Sequence, residues 1–209
     1  MNSELIRNDF PILKTKVGGH QIVYFDNAAT TQRPLPVVNA VLDYTTHENG
    51  NPHRGAHIFA ISASEAYDTS KEVVRDFIHA RSEKEIIYTR NTSESLNLVA
   101  RSYGETHLKA GDHILITIAE HHSNLVTWQR VAQKTGATLD YIYVDKETGH
   151  FPEEELKKID DPRVKLFAFA EVSNVLGSDF DPKPLIERAH AHGAIVVLDG
   201  AQSTPHKPV

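Results

Sequence analysis

The chain has 209 residues, 40% hydrophobic and 24% charged, the proportions of an ordinary globular domain with enough apolar side chains for a sizeable core. Lys+Arg 22 against Asp+Glu 28 gives a net charge of −6 with no basic run, which argues against a nucleic-acid surface. No apolar stretch reaches membrane-spanning length, the N-terminal MNSELIRNDF lacks the apolar core of a signal peptide, and cysteine is absent, so a cytoplasmic protein without disulfides, thiolate metal sites or an internal cysteine nucleophile is expected.

In chain order, QIVYFD (21–26) reads as a short strand. Residues 36–44 and 62–80 read as helices, the second with Ala66, Val73, Val74, Phe77 and Ile78 on one stripe. EIIYT (85–89) predicts a strand and 92–102 a helix. Next come the strand HILITI (113–118), a helix over 124–134 and the strand TLDYIYV (138–144). A short helix over 153–159 leads to the strand KLFAFAEV (165–172), then a helix over 184–192 and the strand AIVVLD (194–199). Strands alternating with helices predict a three-layer, doubly wound α/β fold on a mainly parallel sheet. The sheet looks unfinished, because the chain reaches Val209 soon after a strand of core character.

Four loops follow predicted strands at the edge where open α/β sheets bind ligands. In RNTSESLN, Asn91 is a candidate N-cap with Glu94 three residues on, and the helix start is either simply capped or an anion site. In AEHHSN, His121 and His122 point in different directions, so shared metal ligation is disfavoured and no metal site is expected; stacking or proton transfer suits an imidazole there better. SNVLG places Asn174 at the same level, with Gly177 allowing a tight turn. DGAQ ends the last strand, where Asp199 either caps the next turn or faces a ligand. Neither GxGxxG nor GxxxxGK[ST] occurs, which demotes dinucleotide and P-loop readings.

Six segments in order, YFDNAATTQRP, NPHRGAH, TRNTSESLNLVA, GDHILITIAEHHSNLVTWQ, EVSNVLG and VLDGAQ, resemble the pyridoxal 5′-phosphate (PLP) enzymes of fold type I. Within them, the match is to the class V aminotransferase group and its SufS-like cysteine desulfurases. The resemblance implies that Asp199 pairs with the pyridine nitrogen, Gln202 contacts the phenolic oxygen, and His121 stacks on the ring and exchanges protons with the substrate adduct. It also implies that Thr92 and Ser93 hold the phosphate, that Asn174 contacts cofactor and substrate carboxylate, and that Ala28, Ala29, His53 and Arg54 line the substrate side. A carboxylate about 4 Å from a pyridinium, at an effective dielectric near 20, contributes roughly 4 kcal/mol, or about three pKa units, to keeping it protonated.

The family's cofactor-binding lysine lies in an SGHK-like motif that this chain does not contain, and Lys207 in PHKPV does not match it. The persulfide-carrying cysteine and the substrate-carboxylate arginine of the family likewise find no counterpart. The resemblance therefore implies an N-terminal fragment: residues 1–20 on the small-domain side, and 21–209 a partial, truncated PLP-binding large domain. It would be inactive and poorly soluble alone. The complete enzyme would convert L-cysteine to L-alanine and pass sulfur as persulfide to an acceptor protein for iron–sulfur cluster assembly, as a homodimer. Alternatives are a selenocysteine lyase, another class V enzyme, or a non-catalytic remnant of the fold.

Overall fold

The computed structural model describes residues 3–209 and divides the chain into two compact units, up to Ile86 and from Ile87 to Val209. The first contains α1 (Ser3–Asn8), the two-residue antiparallel pair β1 (Lys16–Val17) and β2 (His20–Gln21), α2 (Leu35–Asp43) and α3 (Ile58–Phe77). The strand expected over 21–26 is not formed beyond Gln21. β-Branched and aromatic residues favour extended backbone but do not supply a partner, and Val23 and Phe25 are 71% and 93% exposed. α3 starts four residues earlier than expected, because His57 Nδ1 accepts the Ala60 N–H at 3.3 Å and caps the helix. Its buried residues are Ala60 and Ala63, while Val73, Phe77 and Ile78 of the expected apolar stripe are exposed.

At the end of the first unit Glu85 closes a 3₁₀ turn, and residues 86–89 pair with no strand, so EIIYT does not form the predicted strand; Ile87, which opens the second unit, is exposed. α4 (Thr92–Val99) runs through a π turn into α5 (Glu105–His107). Then follow β3 (His113–Thr117), α6 (His122–Thr135), β4 (Thr138–Ile142), α7 (Glu153–Leu156), β5 (Val164–Ala170), α8 (Pro182–Ala191) and β6 (Ile195–Asp199). Gly136 ends α6 in the left-handed region at φ 77°, where a side chain would be strained.

The four long strands form a parallel sheet in the order β4-β3-β5-β6. Because side chains alternate across a strand, each strand contributes to two cores. Ile114, Ile116, Leu166 and Ala168 meet Trp128 and Val131 of α6 and Ala100 on one face. Leu115, Phe167 and Phe169 meet Leu185 and Ala189 of α8, with Ile159, on the other. This is the doubly wound, three-layer architecture that uninterrupted apolar runs such as KLFAFA predict: strands covered on both faces need no polar side.

The order also fixes a functional geography. From β3 the chain steps outward to β4 through α6 on one face, and from β5 it steps the opposite way to β6 through α8 on the other. β3 and β5 are neighbours whose outgoing loops diverge, which opens a crevice at their C-terminal ends. Phe167→Ala, which empties the centre of one core, is expected to cost about 3–5 kcal/mol in urea denaturation, whereas Val126→Ala on the exposed side of α6 should stay within about 0.5 kcal/mol.

Candidate functional site: the C-terminal edge of the parallel sheet

Three loops and the start of α4 meet at this edge. Asn91 caps α4 as its sequence position predicts, its Oδ1 accepting the Glu94 N–H at 2.9 Å. Glu94 turns back to accept the Arg90 N–H at 2.7 Å and its guanidinium at 3.2 Å, which holds the pKa of the Glu94 carboxyl below the usual range. The cap therefore takes the Glu94 N–H, and the N–H groups of Thr92 and Ser93 are left as the orphan donors at the positive end of the helix dipole.

Ser93 joins this helix start to that of α6. Its Oγ lies 2.5 Å from Ser123 Oγ, which lies 3.0 Å from His121 Nδ1. His121 is the N-cap of α6, with Nδ1 accepting the Ser123 N–H at 3.1 Å. A backbone N–H can only donate, so Nδ1 is an acceptor and the neutral ring carries its proton on Nε2. The ring is exposed and thus available to a ligand; His122 is the first helical residue and is exposed as well.

Asp199 ends β6 and is 6% exposed. Its Oδ1 accepts the Ala201 N–H at 3.0 Å, so the turn-capping role holds. The residue also borders a cleft lined with Thr92, Ser95, Leu96, Gly200, Ala201 and Thr204. A Cβ on Gly200 would come within 2.7 Å of Thr204 Oγ1, so only glycine leaves this wall unobstructed. Gln202 follows in the same turn, half-buried. Asn174 is exposed on the hairpin after β5, which Gly177 turns at φ 69° and which Ser173 Oγ anchors by donating to the Ala119 carbonyl at 3.0 Å.

The edge thus brings together Thr92 with Asp199, Ser93 with His121, and the Asn174 hairpin with the loop preceding His121. Ala28, Ala29, His53 and Arg54 belong to the first unit. Ala28 and Ala29 lie in a turn closed by the Ala29 N–H donating to the Asp26 carbonyl at 3.2 Å. His53 sits at φ 59°, its N–H on Ser64 Oγ at 2.8 Å and its Nε2 3.3 Å from Asp68, and Arg54 is exposed. Lys207 Nζ is held 2.6 Å from Asp179 and 2.8 Å from Glu171, which raises its pKa and keeps it a non-nucleophilic ammonium.

Glu120 was not singled out by the sequence reading. It is buried, and its Oε1 accepts the Ala170 N–H at 3.0 Å and contacts the Thr117 hydroxyl, while Oε2 accepts Asn124 Nδ2 at 2.6 Å. Asn124 Oδ1 in turn accepts the indole N–H of fully buried Trp128 at 2.7 Å, which fixes the amide orientation. A signal exists in the four-residue spacing of Asn124 and Trp128, one turn apart on α6, with Glu120 a further four residues back, just before the helix. Burial pushes the Glu120 carboxyl up to about 7 against three donors that favour its ionised form, and the charge of Asp199 pushes the same way as burial.

A family model, aminotransferase class V, matches residues 23–209. The chain belongs to the class V aminotransferase family. A probable cysteine desulfurase of Halalkalibacterium halodurans is 46% identical over 209 residues, covering 100% of this chain and 51% of that protein. The apo structure of a cysteine desulfurase from Thermococcus onnurineus superposes with a TM-score of 0.90 at 40% identity, covering 100% of this chain and 50% of that one. At 21% identity and a TM-score of 0.77, a C-DES mutant structure shares the fold; it covers 97% of this chain and 51% of its own, and carries glycine covalently linked to a PLP cofactor. The chain spans about half the length of the curated relatives it matches.

Class V aminotransferases are PLP enzymes, and the edge described above suits that cofactor. The cleft has a buried acid with no cationic partner among the described residues at one side, and hydroxyls on a helix N-terminus at the other. That donor set matches a molecule with a basic ring nitrogen at one end and a phosphate at the other.

The folded protein holds the Glu120 proton more tightly than the unfolded chain, whose carboxyl titrates near 4.5. The resulting stability is fully present below about 4.5 and lost as pH rises through about 7, a difference of about 3 kcal/mol. Urea denaturation at pH 5 and pH 8 should show this loss, and Glu120→Gln should flatten it.

Proposed function

We propose that this chain supplies the PLP-binding face of a cysteine desulfurase that converts L-cysteine to L-alanine and passes the sulfur on as a persulfide for iron–sulfur cluster assembly. The observation that carries the reading is the cleft where buried Asp199 and Thr92 face one another. Support comes from relatives and a solved structure named cysteine desulfurase that match the chain over its full length.

When bound, PLP supplies an electron-withdrawing cationic ring that stabilises negative charge at the substrate Cα. Asp199 holds the proton on the ring nitrogen, because a carboxylate in a poorly hydrated wall favours a cation beside it. Its Ala201 N–H bond orients the carboxyl group without neutralising it. Thr92 and Ser93 receive the phosphate with hydroxyls and first-turn N–H groups. His121, its Nδ1 committed to the Ser123 N–H, keeps its Nε2 proton available and would move a proton at the substrate side of the ring. Gln202 would contact the ring oxygen, and Asn174 would contact that oxygen and the substrate carboxylate. The remaining groups of the reaction, a lysine for the cofactor and a cysteine for the sulfur, are assigned to sequence outside these 209 residues, as are homodimer formation and the docking of a sulfur-acceptor protein. A cytoplasmic setting fits a chain in which no helix of the described residues is long and apolar enough to cross a membrane.

The test compares two substitutions in the full-length enzyme that contains this chain, by alanine release from L-cysteine. Asp199→Ala should lower turnover by about two to three orders of magnitude, since roughly 4 kcal/mol of charge stabilisation is removed. His122→Ala should change it by about twofold at most. Equal impairment of the two would refute the assignment of the loop residues.

A further inference from the structure

The mechanism above leaves one buried ionisable group unused. Glu120 sits where β3 ends, and the Ala170 N–H it accepts at 3.0 Å belongs to the residue paired in register with Asp199 on β6. Two buried carboxyl groups therefore stand on strand ends separated only by β5. Among the described residues neither has a cationic partner: Lys207 is paired with Glu171 and Asp179, Arg90 with Glu94, and the hydrogen bonds of Glu120 run to Thr117, Asn124 and Ala170. His122, the other titratable group on α6 nearby, is exposed. Two like charges in such a setting cannot both ionise cheaply, so one proton is retained between them.

The geometry tells which group retains it and how it can leave. Oε2 must act as an acceptor, because Trp128 fixes the Asn124 amide with its N–H toward Glu120. The proton therefore belongs on Oε1, directed at the Thr117 hydroxyl, which can accept it or, when Glu120 ionises, reverse and donate. The Ala119 N–H lies 3.3 Å from the same hydroxyl oxygen and favours its acceptor role. Gain or loss of the proton thus needs only a hydroxyl rotation and no movement of heavy atoms.

We propose that Glu120 is a positioning residue whose proton is linked to the occupant of Asp199: a cationic ring nitrogen settling against Asp199 expels the proton from Glu120, and the ionised Glu120 in turn strengthens retention of the cation. The inference rests on the reading of Asp199 as the partner of the PLP ring. By reciprocity of linkage, affinity for the cationic ring rises as pH increases through the titration of Glu120. The ionised carboxylate also draws on all three of its donors, which holds the loop before His121 and the end of β5 in register with the Asp199 turn.

The experiment uses the full-length enzyme that contains this chain, in its PLP-free form and labelled with ¹³C at glutamate carboxyls, the Glu120 resonance being assigned by its loss in Glu120→Gln. Its midpoint should lie near neutrality in the unsubstituted enzyme and fall measurably in Asp199→Asn, which removes the neighbouring charge as a bound cation would. Asp199→Ser replaces that variant if the amide spectrum shows that it does not fold. A midpoint in the ordinary carboxylate range, or one unchanged by loss of the Asp199 charge, overturns the linkage. PLP is then added at pH 7, where the Glu120 resonance should move to its ionised position. A resonance indifferent to PLP, with the Asp199→Asn shift intact, refutes placement of the ring at Asp199 and leaves the coupling of the two carboxyls standing.

Discussion

A parallel strand that ends in the middle of a sheet leaves backbone donors pointing into a place that water reaches poorly, and each must find an acceptor. At the end of β5 the acceptor for Ala170 is a side chain from the neighbouring strand's loop, Glu120. That one bond ties the β3 exit to the β5 exit at the point where the two loops diverge. The rest of the edge depends on it: His121 follows immediately, Ser173 reaches back to the Ala119 carbonyl, and Asp199 lies opposite Ala170 on the next strand. An apolar residue at 120 would leave a buried N–H without a partner, whereas a carboxyl satisfies it and brings a titratable group with it.

The sheet was legible in the sequence because its strands carry their own evidence. HILIT, KLFAFA and IVVLD are apolar on both faces, and each is separated from the next by a helix with its own cap or turn signal. QIVYFD and EIIYT misled for a complementary reason. Their composition specifies extended backbone, but a strand exists only where a second strand bonds to it, and local sequence is silent on that. Neither segment is covered along its length: Val23, Phe25 and Ile87 are exposed, although Ile86 is buried. Helix starts were displaced where an imidazole took the capping role, at His57 and His121, in place of the usual Ser, Thr, Asp or Asn.

Residues at strand ends were found because the α/β plan gives the C-terminal edge meaning before any contact is known, and Asp199, Asn174, His121 and Thr92 all occupy it. What the plan does not reveal is which polar residue at that edge is buried. Glu120 reads as one more surface acid beside two histidines, and its burial follows from Asn124 and Trp128 on the inward side of α6, a tertiary fact. His121 shows the reverse. The sequence suggested its chemistry, yet the proton position on its ring is dictated by a backbone N–H two residues later.

Lys207 lends the edge a different property. Its ammonium bridges Glu171 and Asp179, on opposite arms of the hairpin that carries Asn174, and so fastens the turn following Asp199 to that hairpin by charge alone. Screening of partly exposed pairs grows steeply as the Debye length contracts from about 10 Å at 0.1 M salt to about 3 Å at 1 M. The Glu171 N–H also donates to the Asp199 carbonyl at 3.1 Å, so the base of the crevice is set by hydrogen bonds, while dissolved salt acts on how firmly the turn after Asp199 is held to the hairpin.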